Sequence, residues 1–275
     1  MGKSDEGGSY DEGNLYDHMP VYHARLSGVR QLISGSEMPD LEAFHMHYHG
    51  TVPLESASDF FDGDGTLLDL GCGYGSNVIW FARELPGLIS LLGVDLIPEH
   101  IAIAEQLAAK LRGDDNRLHF LARDISELTP EIFEVESCAQ TATSILALNT
   151  FLHLNPEQRL KSWQFVDKVL APGGQVYVED FFARRLLTAH EHETMVRESG
   201  CAYLPLFEQY TAEIRKALPQ AQIDVEDISD HYTDYAKSRH VGYTGNDADK
   251  IRFYKTVFEM LDTGAVGGIR LKIRR

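Results

Sequence analysis

Along residues 66–178, short and almost uninterrupted apolar runs alternate with longer stretches whose apolar positions recur every three or four residues. The runs 66–70, 89–94, 118–122, 144–148 and 175–178 predict strands, and 76–85, 98–111 and 156–170 predict the helices between them. Strands that are apolar on both faces belong in a parallel sheet covered by helices on each side, since polar alternation is needed only where a face meets water. The pattern therefore predicts an α/β fold, doubly wound and Rossmann-like. After it come helices expected near 189–198, 205–217 and 247–260, a strand near 222–227 and a last strand at 268–273. The final two strands would add an antiparallel C-terminal edge to the same sheet, so 21–275 reads as one domain.

Ahead of the core, 23–33 has helical spacing at Leu26, Val29, Arg30 and Ile33, residues 35–39 interrupt it, and a further helix is expected over 54–61. Residues 21–61 form a helical N-terminal cap on the core, 62–275. Residues 1–20, rich in glycine and acids, read as a flexible acidic leader. With 43% hydrophobic and 24% charged residues the whole chain has the composition of an ordinary globular protein. Its longest apolar runs fall far short of the roughly 20 residues that span a bilayer, so no membrane insertion is expected. The N-terminus has neither the cationic start nor the apolar stretch of a signal peptide, which points to a cytoplasmic location. Forty-two acids against 25 bases give a net charge of −17, which repels polyphosphate. Only 270–275 is locally basic, and it alternates with apolar residues as a solvated strand end does; nucleic acid is not an expected partner. Cys72, Cys138 and Cys201 offer neither a disulfide framework nor a metal-binding pair. The oligomeric state is left open.

The most informative stretch is Leu67-Leu68-Asp69-Leu70-Gly71-Cys72-Gly73-Tyr74-Gly75, a buried strand running into three alternating glycines and then a helix. Glycine lets the backbone turn tightly and approach a ligand closely, at the sheet edge where such folds bind nucleotides. A dinucleotide loop would place its third glycine at position 76, which is Ser76. This disfavours a nicotinamide-dependent oxidoreductase. Asp95 ends the next strand, where a carboxylate can accept both ribose hydroxyls. Asp124 and Ile125 follow the strand 118–122, where an acid can accept from an adenine amino group while an aliphatic side chain covers the ring.

Leu68 to Gly75 resembles motif I of the class I S-adenosylmethionine-dependent methyltransferases. The resemblance continues through Asp95, Asp124, 146–152 and Leu170-Ala171-Pro172-Gly173-Gly174, the turn before the fifth strand. It implies a seven-stranded sheet with an antiparallel end, acceptor-site insertions in the core, S-adenosylmethionine as methyl donor and no metal. It also implies a donor site built from Asp69, Gly71, Cys72, Gly73, Gly75, Asn77, Asp95, Leu96, Asp124, Ile125 and Asn149. Asp69 would orient the loop or the donor's amino group; its alternative is to cap the following helix.

On the acceptor side, Phe44-His45-Met46-His47-Tyr48-His49-Gly50 sets histidines at every second position, which on an extended segment would share one face. Packing over the donor pocket, proton transfer and metal chelation are the readings open to them. The segment also resembles the Asp-Gln-x-His-x-x-Gly stretch of several small-molecule methyltransferases, with Glu42-Ala43 in place of the leading Asp-Gln. His153, just past the fourth strand, is the candidate general base. Glu179 and Asp180 end the fifth strand facing opposite ways, and an acid there would suit an amine acceptor. Tyr16, Tyr22, Tyr48 and Tyr243 could hold an ammonium or sulfonium by cation–π attraction, so the candidate acceptor contacts are Tyr22, His45, His49, Glu179 and Tyr243. The expected activity is methyl transfer to a small molecule, an amine first and carbon or oxygen next. The alternative is a non-catalytic methyltransferase-like subunit. The Asn/Asp-Pro-Pro-Tyr motif of nucleobase and glutamine methylation is replaced by Asn149-Thr150-Phe151-Leu152.

Overall fold

A computed structural model describes residues 19–135 and 141–275; most of the acidic leader, Tyr16 and Cys138 lie outside the described residues. The strands are β1 (Asp64–Leu70), β2 (Gly87–Asp95), β3 (Leu118–Ala122), β4 (Ala142–Leu148), β5 (Leu170–Ala183), β6 (Gln222–Asp227) and β7 (Val266–Arg274). They form a seven-stranded sheet in the order β3-β2-β1-β4-β5-β7-β6. All neighbours are parallel except β7, which runs antiparallel to both β5 and β6. The order reverses between β1 and β4, and the crevice beyond their carboxyl ends is where a doubly wound sheet takes its ligand.

The helices are α1 (Pro20–Ser34), α2 (Val52–Phe60), α3 (Ser76–Glu84), α4 (Pro98–Arg112), α5 (Ile132–Val135), α6 (Pro156–Val169), α7 (Ala189–Ser199), α8 (Phe207–Ala217), α9 (Ser229–Gly242) and α10 (Ala248–Asp262). Their ends are written in the sequence. A proline opens α1, α4 and α6, where the missing amide costs nothing. Reciprocal capping boxes, Asn155 with Gln158 and Thr188 with Glu191, start α6 and α7. Gly200, left-handed at φ 65, ends α7.

The period-two alternation of β1 divides the core. Leu68 and Leu70 face a cluster with Trp163, Val166 and Tyr210 of α6 and α8, whereas Leu67 faces Leu54, Val78 and Phe81 of α2 and α3. Asp69 shares the second face with Leu67. α1 lays Tyr22, Leu26 and Val29 against Tyr74, Ile79, Ile103 and Leu107, which closes the cap over α3 and α4. α7, α9 and α10 form a third layer of apolar contacts around Phe181 and Tyr232.

Three expectations are corrected. β5 runs on to Ala183, so Glu179 and Asp180 lie inside the strand, paired with Arg270 and Ile269 of β7. α9 was not anticipated, because it buries little beyond Ser229, Tyr232 and Ala236 and so has no apolar stripe to read. Residues 44–50 are not extended: a 3-10 turn, Leu41–Phe44, leads into a bend, and His49 sits at φ 69.

Candidate active site

The loop after β1 is held by the next strand. The amides of Gly71 and Cys72 donate to the Val94 carbonyl at 2.8 and 2.9 Å, and that of Gly73 donates to Asp95 Oδ2 at 2.9 Å. Gly71 lies at φ 76, and a Cβ there would stand 2.3 Å from Thr150 Oγ1. Gly73 lies at φ 53 beneath Met46, whose Sδ a Cβ would meet at 2.8 Å. Both positions need glycine for conformation and for space. Cys72 is buried, and burial pushes its thiol well up from the usual range, which leaves it a packing residue rather than a nucleophile.

Asp69, at the end of β1, is wholly buried, and neither carboxylate oxygen makes a hydrogen bond of normal geometry. Burial pushes its pKa up to about 7, partly offset by the Asn77 side chain and reinforced by Asp95. It does not cap α3, whose N-cap is Gly75. An unpartnered buried acid is costly, and its natural complement is a cationic donor group arriving with a ligand. Other buried polar groups are left unmet on the cap and in the glycine loop. Arg25 donates to the His45 carbonyl and leaves its Nε without a partner, and His45 Nε2 and the Tyr74 hydroxyl are buried and also unpartnered. These are unmet acceptors and unmet donors in one region, as an amino acid's ammonium and carboxylate would require. The residues present therefore fit the methionine end of S-adenosylmethionine.

The histidines separate by task. His45 Nδ1 lies 2.9 Å from Ser76 Oγ, and His47 Nε2 lies 3.0 Å from the Asn77 side-chain amide. Burial pushes His45 down to about 3, with His47 beside it adding to the effect, and burial pushes His47 down to about 4. Both rings are neutral at pH 7. His47 Nδ1 lies 3.0 Å from the Tyr48 carbonyl and Nε2 faces Asn77 Oδ1, two acceptors of which a neutral ring can donate to one. His49 turns away to the His231 carbonyl on α9. The three rings thus do not converge as a chelate, and among the described residues no group of three or more His, Cys, Asp or Glu is placed to hold a metal ion.

Asp95 is also committed in part. Its Oδ1 accepts from the Ile97 amide at 2.9 Å and from His100 Nδ1 at 3.1 Å, while Oδ2 accepts from Gly73 alone among the described residues. Oδ2 retains a lone pair for a ribose hydroxyl. Asp124 spends one oxygen on the Ser126 amide at 2.8 Å, Ile125 beside it is buried, and Leu96 stands exposed next to Asp95. Asn149 is held at φ 53 at the end of β4, its amide donating to the Glu179 carbonyl at 2.8 Å and its side chain accepting from the Tyr232 hydroxyl at 3.2 Å.

Beyond Asn149 lies an aromatic group. Tyr48 stacks on Tyr232 with centroids 5.3 Å apart and meets Phe181 and Tyr235 edge-on; His49 stacks on Tyr235 at 4.7 Å. His153 closes the short 3-10 turn Phe151–His153 and donates from Nδ1 to the Gly200 carbonyl at 3.2 Å. Burial lowers its pKa, so the ring is a neutral base with Nε2 as its accepting nitrogen.

Three candidate acceptor contacts, Glu179, Tyr243 and Tyr22, lie elsewhere. Glu179 is engaged by Arg270 Nε at 2.8 Å and the Tyr177 hydroxyl at 2.6 Å, so its charge is spent within the sheet and does not await an amine. Asp180 is likewise consumed by the Leu152 and Phe181 amides and the Tyr210 hydroxyl, all at 3.0 Å. Tyr243 sits at the end of α9 edge-on to Tyr254. Tyr22 is on the donor side, its hydroxyl 2.9 Å from His100 Nε2. Sequence reasoning passed over Arg25, Tyr74, His100, Tyr232 and Tyr235. Tyr74 lay within the glycine loop and His100 one helical turn past Asp95; nothing local marked the others.

Comparison with known proteins agrees with this geometry. Residues 68–176 match the family described as the methyltransferase domain. A stretch of 115 residues is 30% identical to the arsenite methyltransferase of Halobacterium salinarum, covering 42% of this chain and 27% of that protein. A stretch of 128 residues is 30% identical to the erythromycin 3''-O-methyltransferase of Saccharopolyspora erythraea, covering 46% of this chain and 38% of that one. The chain thus matches well under half the length of these curated relatives. Among solved structures, Haemonchus contortus phosphoethanolamine N-methyltransferase 2 in complex with S-adenosyl-L-methionine superposes with a TM-score of 0.73 at 16% identity, over 96% of this chain and 60% of that one. Sheet order and glycine loop define a class I, Rossmann-like methyltransferase fold. Within that fold, residues 68–176 are similar to the methyltransferase domain.

Proposed function

We propose that the protein transfers a methyl group from S-adenosylmethionine to a small-molecule acceptor, an amine in the first instance. The observation that carries this is the buried, unpartnered Asp69 carboxylate beside the glycine loop. When bound, the donor supplies an electrophilic methyl on a good leaving group, so the protein's work is alignment and the handling of one proton. Asp69 holds the amino end, Asp95 Oδ2 takes a ribose hydroxyl, and Asp124 with Ile125 receives the adenine. Asn149, fixed from both sides, sets the boundary between donor and acceptor. The Tyr48, Tyr232 and Tyr235 rings give the acceptor side an electron-rich wall suited to an amine or ammonium. With Glu179 neutralised by Arg270, this wall and not a carboxylate favours such acceptors. His153, neutral and fixed in its tautomer by Gly200, accepts the proton that an amine loses on methylation.

Incubation with S-adenosylmethionine and a panel of primary amines, phenols and carbon acids, followed by release of S-adenosylhomocysteine, tests this reading. Amine-dependent release supports it; no release with any acceptor, despite donor binding, favours the non-catalytic subunit. His153→Ala is expected to lower kcat by about tenfold or more while leaving the Kd for S-adenosylhomocysteine within about twofold. Full turnover in that variant would remove His153 as the base.

A further inference from the structure

We infer that Tyr22 and His100 are positioning residues that tie the closing of the cap helix α1 to the ribose-binding acid Asp95. The inference rests on the donor reading above and adds to it a mechanical partner outside the donor-binding strands. His100 is 1% exposed and bridges two elements that the sequence separates widely. Its Nδ1 donates to Asp95 Oδ1 at 3.1 Å, which leaves Nε2 to accept from the Tyr22 hydroxyl at 2.9 Å. Tyr74 of the glycine loop packs edge-on against the same ring, with centroids 4.9 Å apart.

The bridge decides how Asp95 is presented. Two donors, the Ile97 amide and His100, fill the lone pairs of Oδ1, so the carboxylate cannot rotate without breaking both. Oδ2 is then held toward the loop with one acceptor site in use and one left. Without His100 the carboxylate has a single anchor on that oxygen, and its rotamer entropy must be lost on binding instead of beforehand.

The other end of the bridge belongs to the cap helix α1. α1 is held to α4 by the Arg30–Glu99 ion pair and by Lys110 donating to the Ile33 and Gly35 carbonyls, contacts that are largely at the surface. Tyr22, bonded to His100, and Arg25, donating to the His45 carbonyl, are its buried polar links to the donor site. When α1 is docked, the Tyr22 ring packs on His100 with centroids 5.7 Å apart and keeps water from it, which strengthens its bond to Asp95. Any group that binds the ordered Asp95 more tightly than the loose one must favour the docked cap, and by linkage a docked cap must favour that group. The relay makes α1 part of the donor site through Asp95.

The test uses Tyr22→Phe, which removes one hydroxyl, and His100→Ala. Both are titrated calorimetrically with S-adenosylhomocysteine and with its 2′,3′-dideoxy analogue. The expected result is a Kd for S-adenosylhomocysteine raised about threefold to tenfold by Tyr22→Phe and more by His100→Ala, with the dideoxy analogue affected by neither. His100→Ala should add no further loss to Asp95→Ala. Hydrogen exchange should show residues 20–34 protected by S-adenosylhomocysteine in the wild type and less so in Tyr22→Phe. Equal losses for both ligands, an unchanged Kd in both variants, or no change in protection of α1 would overturn the relay. Should His100→Ala not fold, Tyr22→Phe alone decides by the same criteria. A wild type that does not bind S-adenosylhomocysteine overturns the donor reading, and the relay with it; binding with no effect of the variants overturns the relay alone.

Discussion

Replacing Asp69 by asparagine is expected to stabilise the free protein at pH 8 and to weaken donor binding about a hundredfold, the loss of one charge-assisted pairing worth about 2–3 kcal/mol. The two effects share a cause. Burial raises the carboxyl from its ordinary 3.8 to about 7, so the fold keeps the proton that the unfolded chain gives up. Between those values the unfolded chain binds fewer protons than the native one, and stability falls as pH rises from about 4 to about 7, then stays low. Asparagine cannot ionise, so Asp69→Asn should raise the thermal midpoint by a few degrees at pH 8 and by less at pH 5. Binding of S-adenosylhomocysteine to the wild type at pH 6.5 should release a large part of a proton from Asp69, read by calorimetry in two buffers of different ionisation heat; the variant should release none from this position. A variant that binds as the wild type does would show that the acid is structural.

Asp95→Ala should act on both stability and binding in the same direction. Three donors lose their acceptor: the Gly73 and Ile97 amides and His100. The midpoint should fall by several degrees, since each buried group left unpaired costs about 1–3 kcal/mol. Donor affinity should fall at least about tenfold as the ribose contact and the loop anchor go together. Asp95→Asn, which retains one carbonyl acceptor, should fall between the two. Donor affinity unchanged in Asp95→Ala would remove the ribose assignment, whatever the midpoint does.

The sheet was legible because its strands are buried on both faces, which leaves a continuous apolar signature at 66–70, 89–94 and 144–148. The glycine loop was legible because left-handed backbone with no room for a Cβ leaves few alternatives to glycine at positions 71 and 73. α9 was not, since it packs on α10 and β7 through little more than Ser229, Tyr232 and Ala236 and so carries no apolar stripe. Charge neutralisation was also invisible: Glu179 reads as an open carboxylate until β7 brings Arg270 across the sheet. The histidine repeat read as a shared face because the left-handed turn at His49 is a property of the folded loop, not of the spacing. Tyr22 and His100 meet only because α1 folds back on α4.

Calorimetric titration of the purified protein with S-adenosylhomocysteine, with NADH as control, tests the central claim most directly. Micromolar binding of S-adenosylhomocysteine at pH 7 and none of NADH is the expected result. Binding of NADH, or of neither ligand, would contradict it.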